Sequence, residues 1–287
     1  MNPILDREPL ASLRDPAAIF HEGLYYCFHT AVETMPDNFA LYVDVSHSRD
    51  LVNWSSPTRL TERGLNFSSP GNIIRFNGRW VMCLQSYPTI PGHPYGSDES
   101  RLWLMESHDL LHWSEPRLLQ PAGCQANWCN SRRQIDPYLV EHDGNFYCFY
   151  KSEGKLGLFV SPDLTNWSEA SPDAPVLCPQ QTPDGSTTEN PCVIHDGTEF
   201  MLFFSPCRKG RGVGVARSTD LIHWRDVRYL DFPHLSWAPG GPTAAMVLDT
   251  RPQLGHWTMF FHGDRSGPHG AAIGIARSDD LYNWQCD

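Results

Sequence analysis

Three acidic residues have the types and settings that could share acid–base chemistry. Asp15 stands directly before Pro16, Asp136 directly before Pro137, and Glu189 two residues before Pro191. Each opens a similar stretch: LRDPAAIFHEG, QIDPYLVEHDG and TTENPCVIHDG. Three carboxylates brought close together cannot all ionise freely, so at least one pKa must rise. Separated pKa values give one site both an acid and a base. Matching stretches carry Ser69-Pro70 and Gly241-Pro242, with no carboxylate at the entrance. The three acids are far apart in sequence, so everything depends on what brings them together.

A repeat supplies the answer. The phrase Ser-x-Asp-Leu-x-(Asn/His)-Trp occurs five times: SRDLVNW at 48–54, SHDLLHW at 107–113, SPDLTNW at 161–167, STDLIHW at 218–224 and SDDLYNW at 278–284. Upstream of each copy lies a Pro followed by apolar residues, at Pro16, Pro70, Pro137, Pro191 and Pro242. In four repeats a short turn follows: HEG, FNG, HDG and HDG. Asn-Gly and Asp-Gly between apolar runs are hairpin signals. After the turn comes an aromatic-rich run: LYYCFH, RWVMCL, NFYCFY, EFMLFF and, in the fifth repeat, HWTMFF. A third run precedes the Asp-Leu phrase and a shorter fourth follows the Trp. Four short strands per repeat, five times over, predict an all-β, five-bladed β-propeller with four antiparallel strands per blade. One domain over residues 1–287 is expected. The recurrent Trp and Asp-Leu positions read as scaffold, since every blade must pack on the next. Cys27, Cys83 and Cys148 read as core positions of one phase in the second strands.

Composition sets limits. Charged residues make up 19% and hydrophobic ones 40%, as in a folded protein, and the formal net charge is −11. That acidity argues against nucleic-acid partners and against an anionic membrane surface. No run approaches 18 consecutive apolar residues. The first residues lack a basic segment followed by an apolar one, and nine cysteines is an odd count, so a cytoplasmic protein with free thiols is expected. Cys124 and Cys129 lack the partner pair of a zinc site, and no cofactor or metal ligand set is expected.

In a propeller the first strand of each blade lines the axis, and all five start at one mouth. Asp15, Asp136 and Glu189 therefore converge on one axial pocket, on the face that carries the irregular loops 31–38, 86–100, 122–134, 171–188 and 262–270. Ser69 shares that entrance. Phe67, Trp128 and Trp237, before inner strands or in mouth loops, are candidates to stack on an apolar ligand face. Arg265, three residues after His262, is a candidate polar contact; Arg132, Arg133, Arg208 and Arg211 read as surface charge.

The three acidic segments, and the five blades that carry them, make the chain similar to the five-bladed glycoside hydrolases, and most similar to family 43, the arabinofuranosidase and xylosidase group. The resemblance spans essentially the whole chain. It implies Asp15 as general base, Asp136 as the residue that tunes and orients the acid, and Glu189 as general acid. It also implies that His262, in FFHGDR, points into an axial cavity suited to a water or a calcium ion. Two departures stand out. Invertase-type sequences would show Trp-Met-Asn-Asp-Pro-Asn-Gly at the first blade, and family 43 commonly shows Glu-Gly-Pro where this chain has Glu189-Asn190-Pro191. The implied activity is inverting, exo-acting hydrolysis of a small arabinofuranoside- or xyloside-like substrate, so a small carbohydrate is the expected partner. Phosphorolysis by a related enzyme, and a silent sugar-binding propeller, are the alternatives. Thiol titration of denatured, unreduced protein is expected to find most of the nine cysteines free; finding one would overturn the reducing-compartment expectation.

Overall fold

A computed structural model describes residues 2–7, 11–35, 38–89, 97–208, 212–265 and 270–286. The first blade is β1 (Ala11–His21), β2 (Leu24–Thr34), β3 (Phe39–Ser48) and β4 (Thr58–Arg59). The second is β5 (Ile73–Phe76), β6 (Arg79–Gln85), β7 (Leu102–Ser107) and β8 (Arg117–Leu118). The third is β9 (Ile135–His142), β10 (Asn145–Ser152), β11 (Lys155–Ser161) and β12 (Ser168–Glu169). The fourth is β13 (Thr188–His195), β14 (Phe200–Pro206), β15 (Gly214–Ser218) and β16 (Arg225–Tyr229). The fifth is β17 (Gly241–Asp249), β18 (Trp257–Asp264) and β19 (Ala271–Ser278). Neighbours in each sheet are antiparallel and consecutive. The first strands touch in the closed order β1, β5, β9, β13, β17 and back to β1, which makes five blades around one axis.

The outer edge of blade five is completed from both ends of the chain. Ile4 and Leu5 exchange backbone bonds with Ile273 in β19, and Asn2 bonds Ile275 through its side-chain amide. Gln285 pairs with Arg277 further along the same strand. Residues from the two ends thus share one sheet edge, which ties the ring shut.

The repeated phrase builds a turn that holds itself. The Ser48 hydroxyl accepts the N–H groups of Asp50 and Leu51, and Asp50 accepts those of Val52 and Asn53. The Leu sits at positive φ in all five copies, between 61° and 68°. Such a conformation is unfavourable for a branched residue. Burial of the Leu and the ring of side-chain bonds offset it. The backbone N–H of Asn53 is the largest of several bonds that hold Asp50 well below the usual carboxylate range. The Trp that closes each phrase packs on the preceding blade. Trp113 meets Phe28 edge-on at 5.6 Å, Trp224 meets Phe149 at 6.0 Å, and Trp284 meets Phe203 at 6.2 Å.

The register corrects one reading of the core. Cys27 and Cys148 each lie three residues before the strand-two residue that pairs across from the inner strand's bulge, but Cys83 lies two before its counterpart, Gln85. Cys83 therefore takes the place that Phe28, Phe149, Phe203 and Phe260 take in other blades. It shares a core cluster with Trp167, as those Phe residues share contacts with their Trp. Cys83 also meets Gly71, where an added Cβ would lie 1.7 Å from the Pro137 carbonyl oxygen. Only glycine allows β5 to approach blade three this closely.

His29, in β2, is buried among these blades, and burial followed by the Arg7 charge lowers its pKa to about 4. A histidine neutral when folded but able to protonate when unfolded loses stability as pH falls from its ordinary value near 6.5 towards 4. Urea melts of wild type and His29→Phe at pH 7 and pH 4 are expected to show a pH-dependent difference of roughly 3 kcal/mol. Equal pH dependence of the two proteins would overturn this.

Candidate active site

Four inner strands carry one residue in the left-handed region at the same phase, Asp15, Asp136, Asn190 and Ala244, with φ of 48°, 53°, 51° and 50°, and Ser69, just ahead of β5, matches them at 45°. In those four strands the ladder register shifts at that point, as at a bulge. Gly241-Pro242, matched above to the other entrances, therefore lies early; the fifth blade presents Ala244 instead. The five bulges line a small axial cavity of about 30 Å3, room for about one water.

A side chain from the second strand of the preceding blade catches the bulge amide in four of five cases. Thr30 Oγ1 accepts the Ser69 N–H at 2.8 Å, and Gln85 Oε1 accepts that of Asp136 at 2.7 Å. Ser205 Oγ accepts the Ala244 N–H at 2.8 Å, and His262 Nδ1 accepts that of Asp15 at 3.1 Å. Lys151 occupies the fifth such position and has no acceptor atom. There the Asn190 N–H goes to Asp136 Oδ2 at 3.3 Å.

Above the bulges opens a cavity of about 550 Å3 whose lining includes Asp15, Asp136 and Glu189. The three acids predicted to converge do so. Glu189 stands one residue before its bulge and not on it, which is why its spacing to Pro differs. Asp15 Oδ2 accepts the Thr30 hydroxyl at 2.9 Å. Burial raises the Asp15 pKa against the opposing Arg14 charge. Burial pushes Asp136 up to about 6; Lys151 opposes this, while Glu189 and Asp15 add to it. Glu189 Oε2 lies 2.6 Å from Lys151 Nζ, both side chains being mostly buried. Burial pulls Lys151 down, but the Glu189 and Asp136 charges outweigh it and its pKa is raised.

Ser69 and His262 also line the cavity. Phe67, Trp128, Trp237 and Arg265 are not among its lining residues. Phe67 packs edge-on against Trp103, Trp128 stacks on Tyr150 and donates to the Ser171 carbonyl, and Trp237 stacks on Phe261. Arg265 forms a two-point ion pair with Asp6. Of the remaining arginines, Arg208 pairs with Asp184 and Arg211 lies outside the described residues. Arg133, read from sequence as surface charge, lines the cavity and donates to the Tyr87 hydroxyl at 3.0 Å. Tyr87, Phe39 and Lys151 are among the lining groups that the sequence reading passed over. Lys151 had a usable signal: it holds the repeat phase at which Thr30, Gln85, Ser205 and His262 stand.

His262 Nδ1 accepts the Asp15 amide, and among the described residues no group of three or more His, Cys, Asp or Glu is arranged to hold a metal.

Five blades and a carboxylate-lined axial pocket define a propeller glycosidase. The chain belongs to the family described as glycosyl hydrolases family 43, whose model matches residues 2–155, a span that holds Asp15 and Asp136. Solved structures share the fold. A thermostable family-43 glycoside hydrolase is 18% identical, with 99% of this chain and 95% of that one covered and a TM-score of 0.66. The Cellvibrio cellulosa α-L-arabinanase complexed with arabinohexaose is 18% identical, with 96% and 95% covered and a TM-score of 0.69. A protein described under the GH130 family of mannoside phosphorylases is 14% identical, with 100% and 94% covered and a TM-score of 0.69. No curated protein matches the sequence.

Thr30 joins two parts of the site: it holds the Ser69 amide and supports the Asp15 carboxylate. Thr30→Val keeps the shape and removes both bonds. It is expected to lower unfolding free energy by about 1–3 kcal/mol in urea melts, with Thr30→Ser close to wild type. Equal stability of Thr30→Val and wild type would show that the amide finds another partner.

Proposed function

We propose that the protein is an inverting, exo-acting glycosidase for a small arabinofuranoside- or xyloside-like oligosaccharide, with Asp15 as base, Glu189 as acid and Asp136 as tuner. The observation that carries this reading is the meeting of the three carboxylates in one cavity above the bulges. Glu189, when protonated, gives its proton to the departing glycosidic oxygen. Asp15 takes a proton from a water that attacks the anomeric carbon from the opposite face. The Asp15 carboxylate, when ionised, favours the positive charge that develops on the sugar ring. Asp136, once ionised above about pH 6, opposes ionisation of Glu189 and so extends the range in which the acid keeps its proton. Ser69 and His262 line the sugar-binding space, with Phe39 and Tyr87 as its aromatic surfaces.

Phosphorolysis is the second reading, because Arg14, Arg133 and Lys151 line the same cavity and could face an inorganic anion. A panel of nitrophenyl glycosides, assayed with and without phosphate, separates the two by product. Glu189→Gln and Asp15→Asn are each expected to lower kcat about 10²–10⁴-fold while sugar binding survives. Proton NMR is expected to show the first-formed anomer inverted, the outcome typical of enzymes whose two carboxyl groups stand about 6.5–9.5 Å apart. Retained configuration would make Asp15 a nucleophile and overturn the mechanism.

A further inference from the structure

The break in the five-fold pattern falls at the proposed acid. In four blades the second strand offers an acceptor to the next blade's bulge amide; in blade three it offers an ammonium. Two consequences follow from that single residue. The Asn190 amide, not taken by the side chain at that phase, turns to Asp136 Oδ2. The ammonium contacts Glu189 Oε2 at 2.6 Å, with Lys151 only 17% and Glu189 only 15% exposed. An ion pair this sheltered is screened little by water or salt.

We infer that Lys151 is a positioning residue: it holds Glu189 as an oriented carboxylate in the substrate-free site and, by lacking an acceptor, assigns the Asn190 amide to Asp136. The inference rests on the reading of Glu189 as the acid and adds a group that works against the tuner. Asp136 and Asp15 favour a protonated Glu189; Lys151 favours an ionised one. The balance sets the pH at which the acid is ready, and Lys151 moves that point downward. Other groups face the pair from every side. Arg133 and Asp136 come from the start of blade three, Tyr87 from the end of β6, and Arg14 with Asp15 from β1. His262 approaches from β18 and Cys207 from beyond β14. Arg133 opposes the charge on Lys151, whereas Glu189 and Asp136 support it. Lys151 is thus a cation in direct contact with Glu189.

Carboxyl ¹³C NMR of protein labelled at Asp and Glu tests this without any substrate, the Glu189 signal being the one lost in Glu189→Gln. In Lys151→Met the Glu189 midpoint is expected to rise by at least about one pH unit, whereas Lys151→Arg stays near wild type. Lys151→Gln gives the same reading if Lys151→Met does not fold. On the nitrophenyl substrate found by screening, the basic limb of kcat/KM is expected to move up in Lys151→Met and to hold in Lys151→Arg. An unmoved midpoint in the neutral variants overturns the inference. A purely structural lysine would lower activity without moving either titration. If Glu189→Gln kept full activity, the assignment of the acid would fail instead, and the NMR result would stand on its own.

Discussion

The capture of each bulge amide by a side chain of the preceding blade is the interaction on which the rest depends. A left-handed residue in the middle of an inner strand breaks the ladder and exposes a buried N–H. Unsatisfied, such a group costs about 1–3 kcal/mol. Thr30, Gln85, Ser205 and His262 each remove that penalty and at the same time bind two blades together. The bulge also turns its own side chain toward the axis. The same local device therefore closes the ring and delivers Asp15 and Asp136 to the cavity.

The electrostatics follow from where those residues end up. Asp136 is buried and Asp15 partly so, and burial is the largest cause of the rise in both pKa values. Charge is not left unbalanced, because Lys151 sits against Glu189 and Arg14 stands next to Asp15. Stability and chemistry are in tension here. The buried carboxylates gain from a cation nearby, yet a general acid needs to keep its proton. A Lys in contact with the acid, opposed by two carboxylates, is a compromise between the two demands.

How much of this was legible depended on the kind of signal. Asp15 and Asp136 could be paired from sequence because repeat phase is a one-dimensional property that a propeller converts into proximity. The aromatic candidates could not be placed that way. Phe67, Trp128 and Trp237 are large apolar groups near mouth loops, and such groups satisfy either a ligand or a neighbouring ring. They found neighbouring rings. Cys83 and Gly241-Pro242 show the limit of phase itself. A shift of one to three residues is invisible in a pattern of apolar letters, but it sends a side chain to a different face or layer of the sheet.

The sequence by itself determined the number of blades, the strand order within them and the convergence of three acids, because each of these is a consequence of a repeat that must pack against copies of itself. Only the tertiary structure decided which charges meet. It put Arg133 and Tyr87 on the cavity wall, drew Arg265 away to Asp6, and brought Lys151 to 2.6 Å from Glu189. The physical reason is range. Strand pairing and blade packing are set by local pattern, whereas a salt bridge or a pKa depends on ångström distances between residues of different blades, and those distances exist only once the ring has closed.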